Sequence, residues 1–373
     1  MKELGIYVHI PFCKQKCSYC DFISYSNKNN LIEQYIEALK QEIKNRVATK
    51  EYEISTIYFG GGTPSYIEDR YVVDILETIK QNYNINKNVE ITIEVNPGTA
   101  TEEKLQKYVE SGINRISIGL QSCNDSLLNL IGRIHSYEEF LNTYKLARKV
   151  GFKNINVDLM IGLPNQKLED VKDSLEKIIE LSPEHISVYS LIVEEGTPIE
   201  RKIESGELKL PNEELERKEY WEVKKTLEKF GYKHYEISNF AKQGYESKHN
   251  VNCWEQKEYL GFGVAAHSYV SNKRFSNVEK IEEYLQKKEY ITHEIQDVES
   301  QKKEYMLLGL RKIDGIKISR FKNKFGSNPI MEFKDELNKL VQEKLIEIDL
   351  DEIRLTQKGI DLANLVWEEF VQK

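Results

Sequence analysis

Three cysteines fall within one short stretch, Tyr7-Val-His-Ile-Pro-Phe-Cys13-Lys-Gln-Lys-Cys17-Ser-Tyr-Cys20-Asp-Phe22, with the spacing C-x3-C-x2-C. Thiolates placed this way on a tight loop can ligate three irons of a cubane 4Fe–4S cluster and leave the fourth iron without a protein ligand. Such an open iron is useful, because a second molecule can chelate it. The competing chemistry is a zinc site in which His9 joins the three thiolates. Zinc cysteines come more often as two separated C-x2-C pairs, so the residues further along the chain weigh in favour of the cluster.

Gly60-Gly61-Gly62-Thr63-Pro64 follows the second apolar run of the sequence. Glycines let a backbone approach a ligand closely. No Gly-Lys-Ser/Thr follows, so this is not a phosphate-binding P-loop. Glu94 ends the third apolar run and Gln121 the fourth. Arg133 follows in Gly132-Arg133-Ile134-His135, and Asp158 lies within the fifth run. Polar residues near the C-terminal ends of parallel strands are typical ligand contacts. Each alone reads equally well as a helix cap or a structural hydrogen-bonder; four at equivalent positions point to a site.

These residues need a frame. Apolar, β-branched runs recur at 4–10, 55–59, 89–95, 115–120, 155–160 and 185–191, each followed by helical periodicity such as Tyr71, Val72, Ile75, Leu76, Ile79. Six strand–helix units predict a parallel sheet with crossover helices. They are too few for an eight-fold barrel. The expected fold class is therefore α/β, a partial (β/α)6 barrel over residues 1–200. Residues 201–298 read as a barrel extension, with a long amphipathic helix at 212–230 and an aromatic, Asn- and Gly-rich stretch of loops and short strands at 235–266. Residues 299–373 read as a small winged-helix-like module, with helices at 304–312, 318–325 and 329–344, short apolar runs at 345–348 and 353–355, and a final helix.

The 373 residues include 53 Lys and Arg against 61 Asp and Glu, a net charge of −8. That balance does not favour nucleic acid as a partner. The module's third helix, which a winged helix would place in the major groove, carries Lys334, Lys339 and Lys344 against Glu332, Asp335, Glu336 and Glu343. No apolar run approaches the ~20 residues that span a bilayer, and Met1–Phe12 lacks a charged-then-apolar leader pattern. Five cysteines, three of them clustered, suit a cytoplasmic metal-binding chain better than a disulfide framework. Cys123 reads as a small buried hydrophobe.

Together the motifs resemble the radical S-adenosylmethionine (SAM) superfamily. Within it they are similar to the branch of the oxygen-independent coproporphyrinogen III dehydrogenases (HemN) and the heme chaperones (HemW), from Leu4 to about Ser268 and again in the C-terminal module. The resemblance implies a 4Fe–4S cluster on Cys13, Cys17 and Cys20 whose open iron binds SAM and reduces it to a 5′-deoxyadenosyl radical. It implies Tyr7, Gly61 and Glu94 near that SAM, and Tyr19, Gly62, Thr63, Gln121, Arg133 and Asp158 near a second SAM position described in the dehydrogenase. Two departures set the chain apart from the dehydrogenase: Phe22 stands where that enzyme has another Cys, and only six residues precede Tyr7 in place of a long extension. His249-Asn-Val-Asn-Cys253-Trp254 resembles the His-Asn-x-x-Tyr-Trp motif of the chaperones, with Cys253 in place of Tyr. By that resemblance His249 is a candidate axial ligand for heme; the plainer reading is a structural histidine in an aromatic loop. The implied function is binding of heme and its delivery to an acceptor protein, with oxidative decarboxylation of coproporphyrinogen III as the alternative. The implied partners are heme, an acceptor, and a reductant for the cluster, with peripheral contact to membrane-bound acceptors and no membrane span.

Overall fold

The computed structural model describes residues 1–46, 51–286 and 291–371; the expected extension at 201–298 includes 287–290, which lie outside them. In chain order the strands are β1 (Lys2–Ile10), β2 (Tyr52–Gly61), β3 (Ile85–Val95), β4 (Arg115–Gln121), β5 (Ile155–Ile161), β6 (His185–Ser190), β7 (Lys233–Glu236), β8 (Asn239–Ala241), β9 (Tyr259–Phe262), β10 (His267–Val270), β11 (Lys273–Ser276), β12 (Ile291–Ile295), β13 (Ile316–Lys317), β14 (Ile346–Asp349) and β15 (Glu352–Leu355). The first twelve form one open sheet in the order β12-β11-β10-β9-β1-β2-β3-β4-β5-β6-β8-β7. β1 to β6 are parallel neighbours, and β9 runs parallel on the other side of β1. Antiparallel ribbons, β10–β12 and β7–β8, finish the two edges.

Apart from register shifts in β2 and at the end of β4, the strands alternate, and the alternation sets the two faces. Leu4, Ile6, Val8 and Ile10, then Ile57 and Phe59, Ile91, Ile93 and Val95, and Ile116, Ile118 and Leu120 face one way into a single apolar core. Helices Ile32–Asn45, Asp69–Asn82, Tyr137–Val150 and Leu168–Leu181 cover that face with Leu39, Ile75, Phe140 and Leu175 among others. Each such aliphatic or aromatic side chain stabilises the fold by roughly 1.5–3 kcal/mol. The opposite, concave face is polar: Tyr7 and His9, Thr56 and Tyr58, Glu90 and Glu94, Arg115 and Ser117, Asn156 and Asp158, His185 and Ser187. Its members bond one another. Asn156 Nδ2 donates to Ser117 Oγ and to Asp158 Oδ1, both at 2.7 Å, and His185 joins Asn156 Oδ1 at 2.6 Å and the Tyr235 hydroxyl at 2.8 Å.

The stretch at 235–266 departs from expectation. It contains a helix, Lys248–Trp254, that carries no apolar stripe. Capping makes it: the Ser247 hydroxyl accepts from Asn250 N, and the Glu90 carboxylate accepts from the backbone N–H groups of Lys248 and His249 at 3.2 and 3.1 Å. This helix closes the foot of the barrel against β2 and β3, and its Asn250 reaches the cavity that the cysteines line.

The C-terminal module has its own core, including Met306, Phe321, Leu337, Leu340 and Val366, and a small antiparallel sheet ordered β13-β15-β14. Its first helix runs Val298–Gly309, earlier than expected, because Asp297 caps it. The helix expected at 329–344 is broken into Pro329–Glu332 and Lys334–Gln342, since Phe333 leaves helical geometry to bury its ring. Among the described residues no helix is long and apolar enough to cross a membrane.

Candidate cluster and cofactor site

The cysteine loop leaves β1 and is pinned by main-chain bonds. Cys13 N donates to Tyr25 O at 3.0 Å, Tyr25 N to Pro11 O at 2.7 Å, and Ser18 N to Ile131 O at 3.0 Å. Cys13, Cys17 and Cys20 thereby reach one wall of a cavity of about 540 Å³ at the mouth of the barrel. Donors already point at the sulfurs. Thr63 Oγ1 lies 3.5 Å from Cys13 Sγ and Arg133 Nη1 lies 3.6 Å from Cys17 Sγ. Burial pushes the Cys20 thiol up to about 11 and raises Cys13 as well, so metal binding here must displace protons. Three thiols with hydrogen-bond donors behind them suit a cluster, whose sulfurs are tuned by such bonds.

The zinc alternative fails on His9. Its Nε2–H donates to Ile23 O at 2.9 Å, so its Nδ1 accepts from the Tyr7 hydroxyl at 3.0 Å. Both ring nitrogens are used, and burial holds the neutral ring's pKa down at about 4. Among the described residues no three His, Cys, Asp or Glu side chains converge as ligands of a single ion.

Besides the cysteines, Tyr19, Gly61, Gly62, Thr63, Glu94, Gln121, Arg133 and Asp158 line the same cavity. Glu94 accepts from the Tyr58 hydroxyl at 2.9 Å and from Gly61 N at 3.2 Å. Burial pushes its carboxyl up to about 7; those two donors oppose the rise, and nearby Asp158 adds to it. Asp158 is raised for the same reason, against the bonds from Asn156 and Ser187. Arg133 ties the mouth together, donating to Gly119 O at 2.7 Å and Asn96 Oδ1 at 3.0 Å, and its Nε is buried without a partner. Burial and the neighbouring thiols keep the Tyr19 phenol protonated, against the pull of Arg133. Gln121 sits at φ 73°, beside a register shift between β4 and β5. Bulges and left-handed residues of this kind re-aim side chains at ligand sites.

The glycine run has a second cause beyond ligand approach. A Cβ on Gly61, at φ 109°, would lie 2.5 Å from His9, and one on Gly62 would lie 2.9 Å from the main chain of Ile10, Pro11 and Phe12. These glycines let β2 close against the cysteine loop.

Two expected site residues do not line this cavity themselves. Tyr7 lies beneath the loop, its ring 6.3 Å from Tyr58 and its hydroxyl on His9. His249 is on the capped helix at the barrel foot, not in an open aromatic loop. Its Nδ1 meets Thr56 Oγ1 at 2.9 Å, its ring packs 5.2 Å from Tyr58, and only 8 % of the residue is exposed. Conversely Tyr58, Asn96, Arg115, Ser117, Asn156, Ser187 and Tyr189 line the cavity and were not singled out from the sequence. Their signal was there: they are the inward positions of strands whose other face is apolar, or follow directly on such a strand.

Comparison with known proteins places this geometry. The description "Radical SAM superfamily" matches residues 7–178, and "HemN C-terminal domain" matches residues 297–362. The solved structure of the coproporphyrinogen III oxidase HemN from Escherichia coli superimposes with a TM-score of 0.86 at 24% identity, over 99% of this chain and 90% of that one, a likeness of fold. Two proteins named heme chaperone HemW align almost end to end. That of Lactococcus lactis is 37% identical over 99% of this chain and 98% of its own length. That of Bacillus subtilis is 38% identical over 98% of both. The chain belongs to the radical SAM superfamily and, within it, to the HemW family. The family carries a 4Fe–4S cluster and SAM, and the three thiols and the lined cavity fit both groups.

Proposed function

We propose that this chain binds heme and passes it to an acceptor protein in the cytoplasm, while its barrel mouth holds the cluster and SAM. The observation that carries the reading is the end-to-end likeness to chains named heme chaperones. Phe22 supports it: this phenyl ring is 64 % exposed on the cavity rim, where the dehydrogenase has a further cysteine.

In this reading Cys13, Cys17 and Cys20 hold the cluster, with Thr63 and Arg133 donating to sulfur. When bound, the cluster supplies one electron to SAM, so a reductant is a further partner. Glu94, steadied by Tyr58 and Gly61, offers a carboxylate to a cationic group of SAM; Tyr7 supports that wall from behind through His9. Tyr19, Gly62, Thr63, Gln121, Arg133 and Asp158 form the wall where a second SAM would lie. His249 can meet a heme iron only if the helix Lys248–Trp254 leaves the barrel foot. Contact with membrane-bound acceptors is peripheral in this proposal.

The test pairs two assays on anaerobically reconstituted protein. Hemin titration is expected to give a Soret band that saturates at a defined stoichiometry. Incubation with coproporphyrinogen III, SAM and a reductant is expected to yield no decarboxylated product. Decarboxylation without heme binding would reverse the reading in favour of the enzyme.

A further inference from the structure

A second cleft, of about 800 Å³, runs between the end of β6, the helix Glu213–Lys229 and the last helices of the C-terminal module. Arg311 stands in it. Its guanidinium lies 4.5 Å from the ring centres of both Trp254 and Trp367, and its Nε is buried with no hydrogen-bond partner. Among the described residues no ion pair reaches this side chain. The Glu236 carboxylate contributes to its field but accepts instead from Asn239. A half-buried cation held between rings, which the buried Glu236 carboxylate reaches only through its field and not through a bond, is costly unless an anion bonds it directly.

The rest of the cleft specifies what carries that anion. Tyr189, Ile192 and Leu365 line it and are 40, 68 and 48 % exposed, an unusually apolar surface to leave open. Glu213 and Glu216 stand on the helix wall, and Arg217 there is already paired with Asp361 at 3.6 Å. That wall repels carboxylates, so an acidic ligand turns its acid group towards Arg311 and lays its apolar face on Tyr189, Ile192 and Leu365. The volume lies within the range of roughly 300–1,000 Å³ that small-molecule pockets occupy. A wide, flat, apolar ring bearing carboxylates on one edge fits this description, and an iron porphyrin is such a molecule.

We propose that heme docks in this cleft with a propionate on Arg311, rather than on His249. The inference rests on the heme-binding reading above and names its site. Tyr189, Ser190, Leu191 and Ile192 also bound the cluster cavity, so the docked ring shares a wall with the SAM site. The motif around His249 gains a different role: Trp254 stacks on the cation that receives the propionate.

The experiment titrates the full chain with hemin and with hemin dimethyl ester, in wild type, Arg311→Gln and Leu365→Glu, with circular dichroism to check folding. Wild type is expected to prefer hemin over the ester by about tenfold or more, as a charge-assisted bond gives. Arg311→Gln is expected to lose that preference, and Leu365→Glu to weaken both ligands. A merely structural Arg311 would leave the preference for the free acid in place. If wild type binds hemin and folded variants bind it equally well with the preference unchanged, the cleft is overturned while heme binding stands. If wild type binds no hemin, the functional reading itself falls. Should Arg311→Gln misfold, the wild-type ester comparison and Leu365→Glu, whose side chain is on the surface, decide the matter.

Discussion

Glu94 concentrates the chemistry of the barrel mouth in one side chain. Its carboxyl titrates at about 7 because burial and Asp158 outweigh the bonds from Tyr58 and Gly61. The group is neutral below that value and charged above it, and only the charged form attracts a cation. SAM affinity of the reconstituted protein is therefore expected to rise as pH increases through about 7 and then level off. Glu94→Gln should bind SAM about tenfold to a hundredfold more weakly, as loss of a charge-assisted bond costs, with a flat pH profile; isothermal titration across pH checks both. A variant that keeps the wild-type slope would assign the titration to another group. At the cysteines the expectation is simpler: Cys17→Ala should retain its fold yet lose iron and sulfide on reconstitution, measured by direct analysis. These roles were partly legible in the sequence because thiols, acids and an arginine stand at strand ends. Arg115 and Asn156 escaped notice because nothing in their immediate neighbours marks them; only the period-two register shows that they face inward with Asp158.

Among the elements, the end of β2 and the start of the cysteine loop are tightly joined, with Gly62 N donating to Ile10 O and Thr63 N to Phe12 O. A methyl group on Gly62 would sit 2.9 Å from three main-chain atoms that have no room to yield. Gly62→Ala is expected to destabilise the protein by about 1–3 kcal/mol, the cost of overpacking, and to lower cluster retention in parallel; urea titration and iron analysis measure the two. The six barrel strands were readable because each carries an uninterrupted apolar face that must meet a helix. The helix Lys248–Trp254 was not, since its sequence, KHNVNCW, has no stripe to bury. It forms because Ser247 and Glu90 satisfy its first N–H groups, and Glu90 belongs to a strand far away in the chain. The break at Phe333 escaped for a related reason: a buried ring overrode local helical preference.

At the level of the whole molecule, the barrel and the C-terminal module have separate cores yet meet through buried polar contacts. Gln256, 4 % exposed, donates to Gln301 O at 3.1 Å and Glu304 Oε2 at 2.8 Å and accepts from Lys324 Nζ at 2.9 Å. Arg320 reaches Glu255 at 2.9 Å, and Arg311 lies against tryptophans from both sides of the junction. Separating the parts would strand these groups. Calorimetry of the full chain is accordingly expected to give one unfolding transition; two resolved transitions would mean that the junction contributes little. No sequence pattern announced this junction, because its members come from segments that are distant in the chain and individually look like solvated charges.

The main-chain bonds that pin the cysteine loop carry a last consequence. Cys13 bonds Tyr25, Tyr25 bonds Pro11 and Ser18 bonds Ile131, all through main-chain groups that take no part in ligating iron. The loop is thus a fixture of the polypeptide, and iron is a tenant. A chelator that strips the cluster should leave secondary structure and melting temperature nearly unchanged, unlike small zinc domains that unfold when their metal goes. For an oxygen-sensitive cofactor in a living cell, damage then calls for refilling an intact socket, and the same molecule can be returned to service without being made again.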